Sequence, residues 1–283
     1  MISLGLIGFP LAHSLSPALH KAAFTALGMD GEYRLYPVAP GDMNGLAQLT
    51  KGIREGELQG LNVTIPHKQS ILPLLDTLTP SANAIGAINT ISFMDNKLIG
   101  HNTDAPGFLA DLYGAVPHGF AEKKAIVLGA GGAARAVVYA LLTDGWTVVL
   151  AVRKADLEQA AHLIAAMDRI DQKGATRFTL LDVDGLSSQL GGIRLIVNAT
   201  PLGMFPDVGD CPWPEVLDFP QGAVVYDLVY NPRATMFIRR ARAAGLRTAS
   251  GIGMLVEQAA LSFEIWTGRV PPRGFMVAQV EEK

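Results

Sequence analysis

KKAIVLGAGGAARAVVYALLTDGWTVVLAVRK, residues 123–154, contains the pattern that predicts the fold class. Its two apolar runs, at 125–128 and 147–152, are rich in β-branched residues and have the length of buried strands. A glycine-rich turn and a segment with helical spacing of apolar residues lie between them. A strand, a helix and a strand within about 30 residues form a βαβ unit with parallel strands and a right-handed crossover. Apolar runs at 194–200 and 223–232 continue the alternation, so we predict an α/β fold.

The glycine-rich turn predicts a dinucleotide site. Its residues fit the pattern G-x-G-x-x-G/A: Gly129, Ala130, Gly131, Gly132, Ala133 and Ala134. The first glycine permits a tight bend, the second lets a pyrophosphate approach the backbone, and the small last residue lets helix and strand pack closely. Free N–H groups at the helix start then face the phosphates. Such turns also occur for packing alone, but this one follows a strand and opens a helix, which favours a Rossmann-like NAD(P)-binding domain.

The end of the second strand indicates which nucleotide binds. NAD sites usually carry an acidic residue about 20 residues after the glycine turn, where it binds the ribose 2′-hydroxyl. This chain has Val152, Arg153 and Lys154 there, and two cations suit a 2′-phosphate. We therefore expect NADP, with NAD as an alternative because Asp156 is close enough to serve a 2′-hydroxyl. The plain alternative for the two cations is an exposed charged pair at a strand end.

The first hundred residues predict a second α/β unit. Strand patterns occur at 3–8, 32–38 and 61–65, and Ser16 with Pro17 opens a helix that ends at Gly28. From His67, apolar residues spaced i, i+3, i+4 and i+7 predict a helix that continues to Leu78.

Two later segments complete this organisation. Residues 87–102 predict a β-hairpin that turns at Asp95-Asn96. Residues 251–268 predict a helix rich in large apolar side chains, and its packing against the first unit would make that unit discontinuous.

Composition limits the classes of protein to consider. The 283 residues are 49% hydrophobic and 17% charged with a formal net charge of −3, and no basic block is present, so nucleic acid is not an expected partner. The first ten residues lack the basic segment of a signal peptide, and no apolar run reaches the ~18 residues of a membrane helix. The single cysteine, Cys211, excludes an intrachain disulfide and fits a reducing compartment, so we expect a cytoplasmic protein without membrane association. The six histidines lack metal-ligand spacing, and no metal is expected.

Several separated motifs together resemble the shikimate dehydrogenase family, which includes quinate/shikimate dehydrogenases. In chain order they are HSLSP, NVTIPHK, GAINTI, NTD, GAGGAAR, NATPLGM, YDLVYNP and GMLVEQAA. The resemblance implies NADP-dependent interconversion of 3-dehydroshikimate and shikimate, a step of aromatic amino-acid (chorismate) biosynthesis. It also implies a discontinuous substrate domain, 1–104 plus 251–283, a Rossmann domain at 105–250, and a cleft between them.

The resemblance also assigns roles to single residues. Lys68 matches the catalytic lysine and Asp104 its partner carboxylate. The positions that match substrate-binding residues are Ser14, Ser16, Asn62, Thr64, Asn89, Tyr230 and Gln258. The positions that match cofactor-binding residues, besides the glycine turn with Arg153 and Lys154, are Thr200, Leu228, Gly251 and Met254. The family's usual Asn-Arg-Thr at the NADP loop is Val152-Arg153-Lys154 here.

Structural roles compete with several of these assignments. Without the resemblance, Lys68 would be interpreted as a solvated lysine in the first turn of a helix, although a helix N-terminus disfavours a cation. Asp104 precedes Ala105-Pro106 and Ser16 precedes Pro17, so each is a candidate for the N-cap of a predicted helix. No such role is expected for Ser14. Gln258 lies among apolar residues, where its amide needs a partner in another helix or in a substrate.

Two further functions stay open on the sequence. One is a related dehydrogenase that uses quinate with NAD or both cofactors. The other is a protein that senses a dinucleotide without turnover, which retention of both Lys68 and Asp104 disfavours. The expected partner is a small polyhydroxylated acid, shikimate or quinate, and the chain is expected to be a monomer or a homodimer.

Overall fold

The computed structural model describes residues 1–116, 120, 122–167, 170 and 175–281. The chain forms two compact units, which we call unit 1 (Met1–Gly107 with Leu255–Lys283) and unit 2 (Phe108–Met254). Residues 282 and 283, the end of the predicted 251–283 segment, lie outside the described residues. Each unit contains one six-stranded sheet, which confirms the predicted α/β class. The roles assigned to the two domains from the sequence stay predictions.

Unit 1 is built on a mixed sheet. Its strands are β1 (Ile2–Gly8), β2 (Gly31–Pro37), β3 (Gly60–Val63), β4 (Thr77–Leu78), β5 (Thr90–Met94) and β6 (Lys97–His101). They lie in the order β2-β1-β3-β5-β6-β4, with β1 parallel to β2 and β3, and with β5 antiparallel to β3 and β6. The carboxyl ends of β1 and β3 are therefore neighbours, and the chain that follows β3 begins at this edge.

The helices before residue 116 are α1 (Ser16–Ala26), α2 (Met43–Arg54), α3 (His67–Ser70), α4 (Pro80–Ile85) and α5 (Asp104–Ala115). The predicted hairpin is confirmed: Asp95 and Asn96 have φ angles of 51° and 60°, and Met94 pairs with Lys97. Asparagine and aspartate tolerate this left-handed conformation, which a two-residue turn between twisted strands requires.

The predicted helix from His67 to Leu78 is wrong. α3 ends at Ser70, a 3-10 turn covers Leu72–Leu74, and β4 begins at Thr77. Pro73 explains the break, because it has no N–H to donate and its ring clashes with the preceding turn of an α-helix. The apolar spacing reflects packing on the unit 1 core rather than one continuous helix.

Unit 2 is built on a fully parallel sheet. Its strands are β7 (Lys124–Leu128), β8 (Thr147–Val152), β9 (Thr176–Leu180), β10 (Leu195–Asn198), β11 (Val224–Asp227) and β12 (Arg247–Ser250). Its helices are α6 (Gly132–Thr143), α7 (Leu157–Met167), α8 (Val183–Ser187) and α9 (Met236–Ala243). The strand order β12-β11-β10-β7-β8-β9 is that of a doubly wound Rossmann sheet, with its switch point between β7 and β10.

The final helices are α10 (Ile252–Thr267) and α11 (Arg273–Glu281). In its later part α10 packs on unit 1: the Phe263 ring lies 5.0 Å from that of Phe24, and Trp266 Nε1 donates to the Ile91 carbonyl at 2.8 Å. The apolar C-terminal segment thus returns to the first sheet. Among the described residues, no helix has the length and hydropathy needed to cross a membrane.

Candidate active site

Lys68 and Asp104 form a buried ion pair in unit 1. Lys68 Nζ donates to Asp104 Oδ2, although 36 residues separate the two in the chain. The side chains are 13% and 5% exposed, so neither charge is fully hydrated. Lys68 is therefore not a solvated lysine: its ammonium is held against a carboxylate and keeps limited access to the outside.

Contacts with distant parts of the chain hold α3, and with it Lys68, in place. The neighbouring His67 is buried, and its Nε2 lies 2.7 Å from the Val38 carbonyl oxygen, to which it donates. The Lys68 carbonyl accepts from the Ile88 N–H at 2.9 Å. Because α3 has only four residues, these tertiary contacts rather than helical hydrogen bonds fix its position.

Asp104 is the first residue of α5 but does not cap it. The Asn102 side chain accepts from the Ala105 N–H at 3.1 Å and takes the capping role. Asp104 Oδ1 instead accepts from Asn89 Nδ2 at 2.9 Å, while Oδ2 faces Lys68. Both carboxylate oxygens are thus used in the ion pair and its support, and the N-cap alternative for Asp104 is wrong.

The amide of Asn89 is oriented by partners at both ends. Its Oδ1 accepts from the Thr103 backbone N–H at 2.7 Å, a group that can only donate. Its Nδ2 donates to Asp104 and to Thr103 Oγ1 at 2.7 Å, and lies 3.1 Å from Gln258 Oε1. Gln258 completes its own bonds through Nε2, which donates to the Leu255 carbonyl at 2.7 Å. Gln258 therefore finds the partner that its apolar surroundings require.

A group of buried polar side chains, which we call the polar layer, lies behind Asn89 and consists of Asn62, Thr90, Thr103 and Ser262. Asn62 Nδ2 contacts the Asn89 carbonyl, Thr90 Oγ1 and Ser262 Oγ at 3.0, 3.1 and 3.0 Å, and Asn62 Oδ1 accepts from Tyr33 OH at 2.7 Å. The sequence predicted Asn62 but not Thr90, Thr103 or Ser262. One signal was present for Ser262: it follows Gln258 by four residues, on the same face of an apolar helix.

A buried histidine packs beside this layer. The His20 ring stacks on Tyr33, with ring centroids 4.1 Å apart, and burial lowers the pKa of His20 to about 3. His20 is therefore a neutral packing partner of the Tyr33 ring at physiological pH.

The predicted serines lie at the start of α1. Ser14 Oγ accepts from the Ser16 N–H at 3.3 Å, so Ser14 does have a local structural role, and Ser16 is not the N-cap because Leu15 occupies that position. The hydroxyls of Ser16 and Thr64 make no hydrogen bond within the described part of the chain. Thr64 follows β3 directly, four residues before Lys68.

The glycine turn of unit 2 fits a dinucleotide. Gly129 has φ +101°, and a Cβ there would lie 2.9 Å from Thr200 Cγ2, so the fold itself requires glycine. Gly131 is different: its φ is −72°, and a Cβ there would meet no atom within 4 Å. Since neither backbone nor packing demands glycine at 131, the space in front of α6 suits an outside group such as a pyrophosphate. Ala134 is fully buried, as close helix–strand packing predicts.

Three other predicted cofactor residues lie just after the carboxyl ends of neighbouring strands in unit 2, and Met254 lies in α10. Thr200 follows β10, Leu228 follows β11 and Gly251 follows β12. A Cβ on Gly251 would lie 2.1 Å from the Leu228 carbonyl oxygen, which explains this glycine as a close approach of two backbones. Met254 is 7% exposed, and Tyr230 lies three residues after β11. Ligands of doubly wound sheets bind at this edge.

Arg153 follows β8 and pairs with Asp156. Its Nε and Nη2 donate to the two carboxylate oxygens at 2.7 and 3.2 Å, while the arginine side chain is 68% exposed. The carboxylate raises the pKa of Arg153. One edge of the guanidinium is therefore occupied, and Lys154 next to it is exposed.

Asp227 is a buried carboxylate in unit 2 that the sequence did not single out. It accepts from Asn198 Nδ2 at 2.8 Å, from the Val229 N–H at 3.0 Å and from Thr235 Oγ1 at 2.5 Å. Burial raises the pKa of Asp227 to about 6 despite these donors. Its bonds tie the ends of β10 and β11 together. Across the described residues, no group of three His, Cys, Asp or Glu side chains is arranged to hold a metal ion.

Family models match both ends of the chain. Residues 6–91 match the model described as shikimate dehydrogenase substrate binding domain, and residues 251–281 match that described as Shikimate 5'-dehydrogenase C-terminal domain. The chain is 43% identical over 269 residues to the shikimate dehydrogenase (NADP(+)) of Salinibacter ruber, covering 95% of this chain and 93% of the relative. It is 44% identical over 274 residues to that of Moorella thermoacetica, covering 96% and 90%.

Solved structures are similar over the whole chain. The shikimate 5-dehydrogenase of Thermus thermophilus, in complex with NADP(H) and shikimate, has a TM-score of 0.86 and 36% identity, covering 100% of this chain and 99% of that one. Quinate dehydrogenase from Corynebacterium glutamicum, in complex with NAD, has a TM-score of 0.87 and 31% identity, covering 100% and 99%.

Proposed function

The chain belongs to the shikimate dehydrogenase family, and from this premise we propose that it catalyses the NADP-dependent, reversible reduction of 3-dehydroshikimate to shikimate. The observation that carries the proposal is the buried pair of Lys68 and Asp104, brought together across 36 residues. A buried ion pair is expensive to retain and is weak evidence for stability, so a chemical role is the better explanation of this one.

Lys68 is the proposed proton donor and acceptor. Reduction of a ketone places negative charge on its oxygen, and an ammonium beside that oxygen stabilises the charge and then supplies the proton. In the reverse direction the amine accepts the hydroxyl proton. The bound cofactor supplies or receives the hydride. Asp104 holds the ammonium through Oδ2, and Asn89 holds Asp104 through Oδ1, so the proton-carrying atom has a defined place.

The proposed substrate contacts are hydroxyl and amide groups, which suit a ring acid with several hydroxyls. They are Ser14, Ser16, Asn62, Thr64, Asn89, Tyr230 and Gln258. The hydroxyls of Ser16 and Thr64 make no hydrogen bond among the described residues and so are available to a ligand. We propose that the serines and the start of α1 receive the carboxylate.

The proposed cofactor contacts lie in unit 2. The turn of Gly129, Ala130, Gly131, Gly132, Ala133 and Ala134 would hold the pyrophosphate, and Arg153 with Lys154 the 2′-phosphate. Thr200, Leu228, Gly251 and Met254 would line the same edge of the sheet. The open space at Gly131 supports the first assignment, and the exposed guanidinium of Arg153 supports the second.

A steady-state assay with shikimate and quinate, each with NADP and NAD, tests the proposal. We expect the highest kcat/KM for shikimate with NADP. A preference for quinate with NAD would favour the second candidate function, a quinate dehydrogenase. The structural similarity to the quinate dehydrogenase of Corynebacterium glutamicum supports testing this function. Cofactor binding without turnover of either acid would point to a sensor and overturn the proposal.

Replacement of Lys68 tests the mechanism. Lys68→Ala should lower kcat by about 10² or more, within the range for acid–base groups, with NADPH affinity unchanged. The matched control is Lys21→Ala, which removes an exposed lysine of α1 in the same unit and should leave kcat unchanged. A Lys68→Ala variant that keeps most of its turnover would remove this lysine from the mechanism.

Localisation and assembly complete the proposal. We propose a cytoplasmic location, because a chain with a single cysteine has no intrachain disulfide and suits a reducing compartment. A monomer or a homodimer is proposed, without nucleic acid as a partner, and light scattering at several concentrations distinguishes the two states.

A further inference from the structure

A buried hydroxyl on α10 stands at the centre of the polar layer behind Asn89. Ser262 Oγ lies 3.0 Å from Asn62 Nδ2, 2.7 Å from Thr90 Oγ1, 3.0 Å from Thr103 Oγ1 and 2.9 Å from the Gln258 carbonyl oxygen. Four separate segments of the chain meet at this one atom.

The stability of α10 does not explain this serine. Ser262 is fully buried, and it is flanked by the apolar Leu261 and by Phe263, which is also fully buried. A hydroxyl in such a place costs free energy unless it is hydrogen-bonded, and an apolar residue of similar size would avoid that cost. Polar groups in a core are useful when they select one arrangement of their neighbours.

The bonds of the layer follow from which groups can only donate or only accept. The Gln258 carbonyl only accepts, and the hydroxyls of Ser262 and Thr103 lie 2.9 and 3.0 Å from it. Asn62 Nδ2 only donates, so Ser262 Oγ accepts from it. Thr90 has one proton for two acceptors, Ser262 Oγ at 2.7 Å and Asn89 Oδ1 at 3.1 Å, so a proton donated by Ser262 to Thr90 directs the Thr90 proton to Asn89.

The Thr103 hydroxyl also acts on the Asn89 amide. With its proton directed to Gln258, Thr103 Oγ1 presents a lone pair, which accepts one N–H of Asn89 at 2.7 Å. The other N–H of Asn89 is then directed at Asp104 Oδ1, at 2.9 Å. The orientation of the carboxylate that holds Lys68 therefore depends on hydroxyls that do not touch it.

We propose that Ser262 is a positioning residue for the reaction: through Thr90, Thr103 and Asn62 it fixes the Asn89 amide and, through that amide, Asp104. The proposal rests on the proposed function, because it assigns Ser262 to the support of the same Lys68–Asp104 pair.

The test compares Ser262→Ala with a control on the same helix. Thr267 Oγ1 donates to the Phe263 carbonyl at 2.8 Å, the same type of bond that Ser262 makes to Gln258, but it contacts none of the layer. Thr267→Val therefore removes a hydroxyl of α10 without affecting Asn89. We expect Ser262→Ala to lower kcat by about 3- to 30-fold, a fraction of a full acid–base effect. NADPH affinity and the KM for shikimate should change less than about 2-fold in that variant. One limb of its kcat–pH profile should shift, and Thr267→Val should show neither change.

Two further measurements separate positioning from loss of packing. Ser262→Cys replaces the hydroxyl by a slightly larger and weaker hydrogen-bonding group, so its kcat should lie between those of the wild type and Ser262→Ala. In an Asn89→Ala background, Ser262→Ala should have no additional effect on kcat, because the link is already broken. Wild-type kcat and pH profile in Ser262→Ala, or full additivity with Asn89→Ala, would overturn the proposal.

A readout without turnover keeps this proposal separate from the proposed function. The side-chain amide resonances of Asn89 should move in Ser262→Ala and not in Thr267→Val. If the wild type fails to oxidise shikimate, the proposed function fails, and the Asn89 resonances still decide whether Ser262 orients this amide. Resonances unchanged in Ser262→Ala contradict the inference even in an active enzyme.

Discussion

The buried ion pair leads to a quantitative prediction about stability. Lys68→Met keeps an unbranched side chain of similar length but leaves the Asp104 carboxylate, 5% exposed, without its cation. Breaking a buried pair on one side costs about 3–5 kcal/mol. Asp104 keeps its bond from Asn89 at 2.9 Å, so we expect the lower end, about 3 kcal/mol. The double variant Lys68→Met/Asp104→Asn has no buried charge and should recover at least half of this loss.

Hydrogen exchange measured by mass spectrometry is the appropriate assay, because it reports the opening of each unit separately. A loss of about 3 kcal/mol increases the opening constant by about 10², since 1.4 kcal/mol is tenfold. The amides of β1 and β3 in unit 1 should show this acceleration, and those of β7 in unit 2 should not. Lys21→Met, at an exposed position of α1, is the control and should leave exchange unchanged. Acceleration below about 5-fold in Lys68→Met, or a double variant as unstable as the sum of the single ones, would show that Asp104 does not depend on Lys68 for its charge compensation.

The remaining predictions concern unit 2. Gly131→Val should fold with a loss of about 1 kcal/mol, because its φ of −72° and the open space accept a side chain but valine is a poor N-cap for α6. It should weaken NADPH binding at least ~10-fold in a fluorescence titration, and unchanged binding would contradict the pyrophosphate assignment. Arg153→Ala should weaken NADPH binding by about 10-fold and leave NADH binding unchanged. Asp156→Asn should strengthen NADPH binding by about 3-fold, at low salt only. Equal effects on the binding of both cofactors would argue against a 2′-phosphate contact. Burial raises the pKa of Asp227 to about 6 from 3.8, so the stability it contributes is present below pH ~4 and is lost as pH rises through about 6, by up to about 3 kcal/mol. Urea unfolding of Asp227→Asn between pH 4 and 7 should lack this decline, and a parallel pH dependence in both proteins would show that Asp227 is not its source.

Local patterns were sufficient for much of the fold. The βαβ unit, the glycine turn and the hairpin at Asp95-Asn96 depend on interactions within a few residues, so the sequence predicts them directly. The resemblance further predicted that Lys68 and Asp104 act as a pair, and the structure brings the two side chains into contact. The prediction of one helix from His67 to Leu78 was wrong because it rested on apolar spacing alone. Pro73, which interrupts an α-helix, was visible in the sequence and predicts the break.

The residues and their local spacing establish which chemical groups this protein has and the class of fold that carries them. That Asp104 holds Lys68 instead of capping α5, and that Ser262 bonds to Thr90 across 172 residues, is visible only in the folded chain. The difference lies in how far apart along the chain the interacting residues are. Backbone conformation and amphipathic spacing are set by neighbours in the chain, whereas the partner of a buried polar side chain depends on how distant segments pack.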